Sequence, residues 1–201
     1  MKSVFDFIIK PVGKRYDNEK KIGDKSLVIN TTIESYKSVN NIAEVVETPL
    51  AYDTEIKVGD IIVIHHNVFR RFYDMKGNQK DSRSMFIDDM FFCNADQIYL
   101  YGKPGNWKTF NNRCFVSPIK SADSFSLDKE QKLIGILKHG NSSLESLGIT
   151  PGDLIGYTPG GEYDFVIDGE RLYCMKSNDI VIKYEHQGNE EEYNPGWAQS
   201  S

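Results

Sequence analysis

Several features that mark well-known protein classes are scarce in this sequence of 201 residues. Its three cysteines, Cys93, Cys114 and Cys174, are an odd number and too few for a disulfide framework, which favours a reducing compartment. No run approaches 18 consecutive apolar residues, so the sequence predicts no membrane-spanning helix. Lys and Arg number 24 against 29 Asp and Glu, and this net charge of −5 argues against nucleic acid as the main partner.

Targeting and catalytic signatures are scarce as well. Residues 1–10 have an acid inside a short apolar run and no small-residue cleavage site, so we expect no signal peptide and a cytoplasmic protein. No Ser or Cys lies in a nucleophile-elbow context. Gly160-Gly161 precedes neither a helix nor a Lys, which predicts a turn rather than a phosphate loop. We therefore expect that the protein is not an enzyme and needs no cofactor.

Two pairs of basic residues could suggest a binding site, but a structural interpretation is favoured for both. His65 and His66, as neighbours on a predicted strand, would point to opposite faces and could not chelate one metal together. Arg70-Arg71 lie among aromatic residues, as in a surface that stacks nucleobases. Because the chain is acidic overall, a strand with one solvated face is the favoured interpretation of this segment.

What the sequence does contain is a series of short β-rich runs. Helical periodicity is confined to residues 142–147, which Gly148 closes. In the first run Phe5, Phe7 and Ile9 alternate with other residues, which predicts one face of a strand. The other predicted strands are 42–47, 61–65, 68–73, 85–87, 90–93, 97–101, 113–119, 133–137, 154–157, 163–167, 171–175 and 179–184. The sequence therefore predicts an all-β protein made of small barrels or sandwiches.

The chain also repeats itself. Residues 57–62, Lys-Val-Gly-Asp-Ile-Ile, return at 150–155 as Thr-Pro-Gly-Asp-Leu-Ile. Further landmarks follow in the same order, namely 86–88, 92–93 and 96–98 after the first copy, and 166–168, 173–174 and 179–180 after the second. The repeat predicts two related domains, at 1–102 and 107–185, with a linker at 103–106 and a polar tail at 186–201.

The landmarks have local structural roles. In each copy a Gly permits a positive φ, and the following Asp can bond to the backbone beyond the turn. A turn of this kind leads the chain into a buried strand. Asp88-Asp89 and Asp168-Gly169 suit tight hairpin turns. Cys93 and Cys174 hold matching positions in the two copies, which favours small buried hydrophobic side chains over reactive thiols.

The ordered set of motifs resembles the GroES family of co-chaperonins. The similar stretches are 5–11, 42–47 and 55–64 in the first copy and 169–182 in the second, where the family has its C-terminal hairpin. The resemblance implies two tandem GroES-like β-barrels that form a homo-oligomer and cap a chaperonin ring of the GroEL type around a folding substrate protein. It also implies that the edges of residues 4–10 and 180–184 pair between subunits.

The resemblance gives the segment 16–41 a special role, because the family has a long mobile loop in this place. Such a long connection in a compact domain is often functional. Leu27, Val28 and Ile29 occupy the place of the apolar tripeptide that docks on the chaperonin in that family. The second copy has only residues 120–132 at this position and so lacks the loop. A ring of seven two-barrel subunits, or of fewer subunits with both barrels in one ring, are both open.

Three alternatives stay open at this point. Leu27, Val28 and Ile29 could form another core strand of a longer hairpin. The chain could instead be a viral structural protein, a capsid or tail component that uses the barrels as scaffold, since a fold does not dictate a function. If the chain is a co-chaperonin, its fused and divergent form would suit a virus-encoded replacement for a host co-chaperonin. The tail is expected to be a disordered terminus, or else an arm whose Tyr193 and Trp197 anchor on a neighbour.

Overall fold

The chain divides into two compact units, Met1–Lys103 and Pro104–Ser201. The computed structural model describes residues 2–16, 39–121, 129–185 and 190–199, together with the backbone of 19–22 and 25–28. The fold is all-β, as predicted, and its named strands pair antiparallel wherever the described residues show their register. Among the described residues, no helix is long and apolar enough to cross a membrane.

The first unit is built on antiparallel strands that are hydrogen-bonded in the order β9-β5-β4-β1-β8. Two hairpins of this unit, β2-β3 and β6-β7, form separate two-stranded sheets. The strand bounds are β1 (Phe7–Pro11), β2 (Glu19–Ile22), β3 (Lys25–Val28), β4 (Ile42–Glu47), β5 (Ile61–Ile64), β6 (Phe72–Tyr73), β7 (Gln79–Lys80), β8 (Phe91–Cys93) and β9 (Ile98–Lys103).

The second unit has six strands in one sheet, in the order β14-β15-β11-β12-β13-β16. Its helix α1 (Ser142–Ser146) begins at Asn141, whose side chain accepts a hydrogen bond from the Leu144 amide at 3.2 Å. The strand bounds are β10 (Asn106–Thr109), β11 (Arg113–Lys120), β12 (Glu130–His139), β13 (Leu154–Tyr157), β14 (Tyr163–Ile167), β15 (Glu170–Lys176) and β16 (Ile180–Tyr184).

The two units repeat one pattern of strand pairing. Strands β9, β5, β4, β1 and β8 correspond to β16, β13, β12, β11 and β15 in order and direction. The irregularities repeat too, because the β1-β4 register shifts after Ile8 and the β11-β12 register shifts after Phe115. The register of the β5-β9 pairing shifts after Val63, and the register of the β13-β16 pairing shifts after Gly156. These matching register shifts indicate that the two units share the same local backbone irregularities.

The Gly-Asp landmarks form the same turn in both units. Gly59 and Gly152 have positive φ angles of 88° and 97°. The Asp60 carboxylate accepts a hydrogen bond from the Lys57 amide at 2.8 Å, and the Asp153 carboxylate accepts one from the Thr150 amide at 2.7 Å. The Asp therefore bonds to the backbone before the turn, rather than beyond it as the sequence suggests.

The predicted hairpin turns are confirmed at both places. Asp88 and Asp89 have φ angles of 47° and 57°, and the Met90 amide closes the turn onto the Ile87 carbonyl at 2.8 Å. In the second unit Asp168 and Gly169, with φ angles of 50° and 78°, connect β14 to β15. Two consecutive positive φ angles match the right-handed twist of the strands they join.

The N-terminal strand departs from its predicted alternation. Phe7, Ile8 and Ile9 are all buried, whereas Phe5 lies before the strand and is 70% exposed. Consecutive side chains of a strand point to opposite faces, so their burial shows that both faces of β1 are covered, while β4 and β8 pair with its two edges. Because β4 and β8 pair with its two edges, the expectation that this strand offers a free edge to a neighbour is wrong for Phe7–Ile9. Strand β16 does lie at the edge of its sheet.

Two other segments differ from their predictions. Residues 68–73 do not form one strand, because a 3₁₀ turn at His66–Val68 precedes the short strand β6. The segment 103–106 contains the end of β9, a turn with φ of 77° at Gly105, and the start of β10. A tight turn occupies the segment predicted as the linker.

The C-terminal tail differs from the disordered terminus predicted for it. Among the described residues 190–199, Glu192 forms a β-bridge with Ile119 of β11. Ala198 is fully buried. The described part of the tail therefore packs on its own unit and is not the disordered terminus that its composition predicts.

Candidate functional site: the loop of the first unit

The segment predicted as a partner-binding loop forms a β-hairpin in its first half. Strand β2 pairs with β3, with Glu19 opposite Val28 and Ile22 opposite Lys25. Leu27 and Val28 therefore lie in a strand, opposite Lys20 and Glu19, while Ile29 lies outside the described residues. Neither strand of this hairpin belongs to the large sheet of the first unit. The tripeptide thus begins in strand conformation, but on a hairpin distinct from that sheet.

The two ends of the loop are held together at a stem. Tyr16 and Val39 form a β-bridge, and the Asn40 amide donates to the Arg15 carbonyl at 3.1 Å. The Asn40 side chain donates to the carbonyls of Val12 and Lys14 at 2.8 and 2.9 Å. Asn40 is thus a cross-link between the outgoing and returning strands, and residues 17–38 leave and return at one place.

Arg15 anchors the outgoing strand of the stem. Its Nε donates to the Phe69 carbonyl at 2.5 Å, and its Nη1 lies 2.6 Å from the Asp81 carboxylate. The guanidinium also lies over the Phe91 ring, 4.8 Å from its centroid. With its side chain only 10% exposed, Arg15 fastens the loop base to two other segments of the same unit.

Tyr16 makes the second anchor. Its buried hydroxyl accepts a hydrogen bond from the Arg71 amide at 2.5 Å, and the Arg71 guanidinium lies 5.3 Å from the Tyr16 ring. The Arg71 guanidinium also lies 3.9 Å from the Asp81 carboxylate, which therefore contacts both Arg15 and Arg71. The cationic pair that the sequence suggested as a nucleic-acid surface thus lies beside the stem, and Arg70 stacks on Phe72 at 5.6 Å.

The adjacent histidines do not point to opposite faces, because they leave the strand. His65 caps the 3₁₀ turn by accepting from the Asn67 amide at 3.1 Å, and the His65 and His66 rings stack at 4.4 Å. Burial, then His65 and Arg70, lowers the pKa of His66 to about 4, so its imidazole is neutral at pH 7. The described residues contain no group of three or more potential metal ligands.

The cysteines lie in the cores of the units. All three are buried and unbonded to one another. Burial raises the pKa of Cys114 and of Cys174 to about 12 and raises that of Cys93 further, which suits packing rather than reactivity. Their predicted equivalence is off by one position, because Phe92 pairs with Ile8 where Cys174 pairs with Phe115.

Sequence reasoning found the loop but missed the residues that anchor it. Arg15 and Asn40 flank a long polar segment, and nothing in their immediate neighbours distinguishes them from other surface residues. The partners of Arg15, Phe69 and Asp81, are 54 and 66 residues away along the chain, and the partners of Asn40 lie across the loop at Val12 and Lys14. Only the folded sheet brings these groups together. No family model and no curated protein sequence matches the chain.

Proposed function

We propose that this protein is a co-chaperonin of the GroES type, built from two GroES-like β-barrels. It caps a chaperonin ring through the loop of its first unit, and protein folding proceeds beneath the cap. Nucleotide hydrolysis belongs to the ring, so the chain itself acts as a binding protein without a cofactor. The observation that carries the proposal is the stem, where Tyr16 and Val39 close the base of the loop against the sheet.

The repeated fold supports this function. Two units with the same strand order and the same register shifts are what a tandem of related small β domains requires. The connection between the first two sheet strands differs between them, because it runs from Pro11 to Ile42 in the first unit and only from Lys120 to Glu130 in the second. One binding loop per chain follows from this difference.

Anchoring at the base suits a loop that must find a partner. Contacts of Arg15, Tyr16 and Asn40 fix the point at which the segment emerges, which limits the ordering cost on docking. Burying Leu27, Val28 and Ile29 in a groove would contribute about 1.5–3 kcal/mol each. Ordering the rest of the loop offsets much of this gain, so a single loop binds weakly and several loops in one assembly bind tightly by avidity.

Assembly of several chains is therefore part of the proposal. Strand β16 is an edge strand, and its Val181 and Ile182 side chains are half exposed. An apolar edge strand of this kind favours pairing with another chain. A homo-oligomer that uses the β16 edge would bring several loops to one chaperonin ring.

Limited proteolysis distinguishes this function from a structural role in a viral particle. Trypsin should cut the free protein first between Lys20 and Lys37, and a GroEL-type ring with nucleotide should protect that stretch. A ring incubated without nucleotide is the control. Cleavage at this stretch that is unaffected by ring and nucleotide would refute the co-chaperonin function, and uniform resistance of the free chain would favour a structural protein.

A further inference from the structure

Strand β11 of the second unit is paired along its first half by β15, from Arg113 to Val116. The C-terminal segment continues this pairing along the second half. The Tyr193 amide donates to the Pro118 carbonyl, and the Lys120 amide donates to the Glu191 carbonyl, both at 2.8 Å. Residues 190–193 therefore add to β11 as an extra strand.

Beyond this strand, Asn194 fixes the segment to the β14-β15 turn. Its amide nitrogen donates to the Gly169 carbonyl at 2.9 Å, and its oxygen accepts from the Arg171 amide at 3.2 Å. Ala198 is fully buried, and the Arg171 guanidinium lies 5.9 Å from the Trp197 ring. We call residues 190–199 the strap.

The charges of the strap and of the surface below it are complementary. Glu192 lies 2.8 Å from the Lys138 ammonium, and Glu191 pairs with Lys120. Arg171 is held by the unit itself, through Asp164 and Glu130 at 2.8 Å each. The binding surface is thus formed by the sheet and does not need the strap to shape it.

In the first unit, no described segment pairs with β1 at the position that corresponds to the strap. Pro11 and Pro118 occupy equivalent places, opposite Ala43 in β4 and Gly135 in β12. The residue that follows Pro11, Val12, is 44% exposed, whereas Ile119 after Pro118 is 1% exposed. Release of the strap would therefore uncover an apolar side chain together with the Pro118 carbonyl and the Lys120 amide, which is a site for strand addition.

We propose that the strap closes a strand-addition site on β11, and that this site accepts the same acidic segment from a second copy of the chain once its own strap is released. The proposal is independent of the co-chaperonin function. Its contacts at Lys120 and Glu191 are more than half exposed, so water and salt compete with them. The strap can detach while the sheet beneath it stays folded.

Hydrogen exchange tests the release. In N194A/E192K, which loses both Asn194 bonds and reverses the charge facing Lys138, the Lys120 and Tyr193 amides should exchange at least tenfold faster than in the wild type. The Leu137 and Gly152 amides, bonded within the sheet, should not change. E145K, at an exposed position of helix α1, is the matched charge control and should leave the strap amides protected. Unchanged exchange at Lys120 and Tyr193 in the double variant would overturn the proposal, and N194A alone serves if the double variant does not fold.

A labelled synthetic peptide of residues 190–199 tests the site itself. It should bind saturably to full-length N194A/E192K, whose surface is intact, and at least tenfold more weakly to the wild type, whose site is filled. The same peptide with Ala in place of Asn194 should bind at least tenfold more weakly to the double variant. Absence of saturable binding to a variant whose strap amides have lost protection would overturn the proposal.

Discussion

Replacing Arg15 by Ala tests how firmly the stem holds the base of the loop. A hydrogen bond from a charged donor, here to the Phe69 carbonyl, contributes about 1.5–3 kcal/mol. The cation–π contact with Phe91 adds about 1–2 kcal/mol. The ion pair with Asp81, which is half exposed, adds at most about 1 kcal/mol.

One cost offsets part of these contributions. The Nη2 atom of Arg15 is buried without a hydrogen-bond partner, which costs about 1–3 kcal/mol. The central values of the three contributions sum to about 4 kcal/mol, so the net stabilisation is about 2 kcal/mol. R15A should lower the free energy of unfolding of the first unit by this amount, measured by urea denaturation followed by far-ultraviolet circular dichroism.

Arg83 provides the matched control, because it is exposed and the described residues give it no ion pair. R83A should change the free energy of unfolding by less than about 0.5 kcal/mol. If R15A were no more destabilising than R83A, the contacts of Arg15 would not hold the stem, and the reasoning above would be refuted.

Two further predictions concern the second unit. G135A should lower its free energy of unfolding by about 2–3 kcal/mol, because a Cβ at Gly135 would lie 2.5 Å from the Ser117 carbonyl oxygen. G196A is the control, since a Cβ at Gly196 would have nothing within 4 Å. Equal urea midpoints for the two variants would contradict the prediction. Hydrogen bonds from Lys183 and from the Thr150 amide lower the pKa of Asp153. This carboxylate therefore contributes stability above its unfolded pKa near 4, which is lost as the pH falls through the folded value. D153N should be less stable than the wild type at pH 6 and should lose less stability than the wild type between pH 5 and pH 2. Parallel profiles of unfolding free energy against pH, measured by urea titration, would contradict this prediction.

The sequence predicts the strands of the sheets well, because each one is short, β-rich and bounded by turn residues. Strand β4 has the predicted bounds, and the turns at Gly59 and Gly152 follow from the need for a positive φ. These signals are local. They work because each strand's pattern and each turn's chemistry lie within a few residues.

Features that depend on distant contacts could not be predicted. Both faces of β1 are buried, and its second edge is paired by β8, some 80 residues later, so the alternation around Phe7 was misleading. The strap was missed because its polar composition is typical of a disordered terminus, whereas Lys138 and Lys120, which it meets, lie far away along the chain. The stem contacts of Arg15 belong to the same class.

Binding of the labelled chain to a GroEL-type ring with nucleotide, followed by sedimentation, tests the central claim most directly. We predict that L27S/V28S/I29S loses binding while its melting temperature stays unchanged. A control with Ser at Val4, Phe5 and Leu50, which are exposed apolar residues outside the loop, should bind like the wild type. Retained binding of the loop variant with a lowered melting temperature would contradict the account and make the tripeptide a strand of the core.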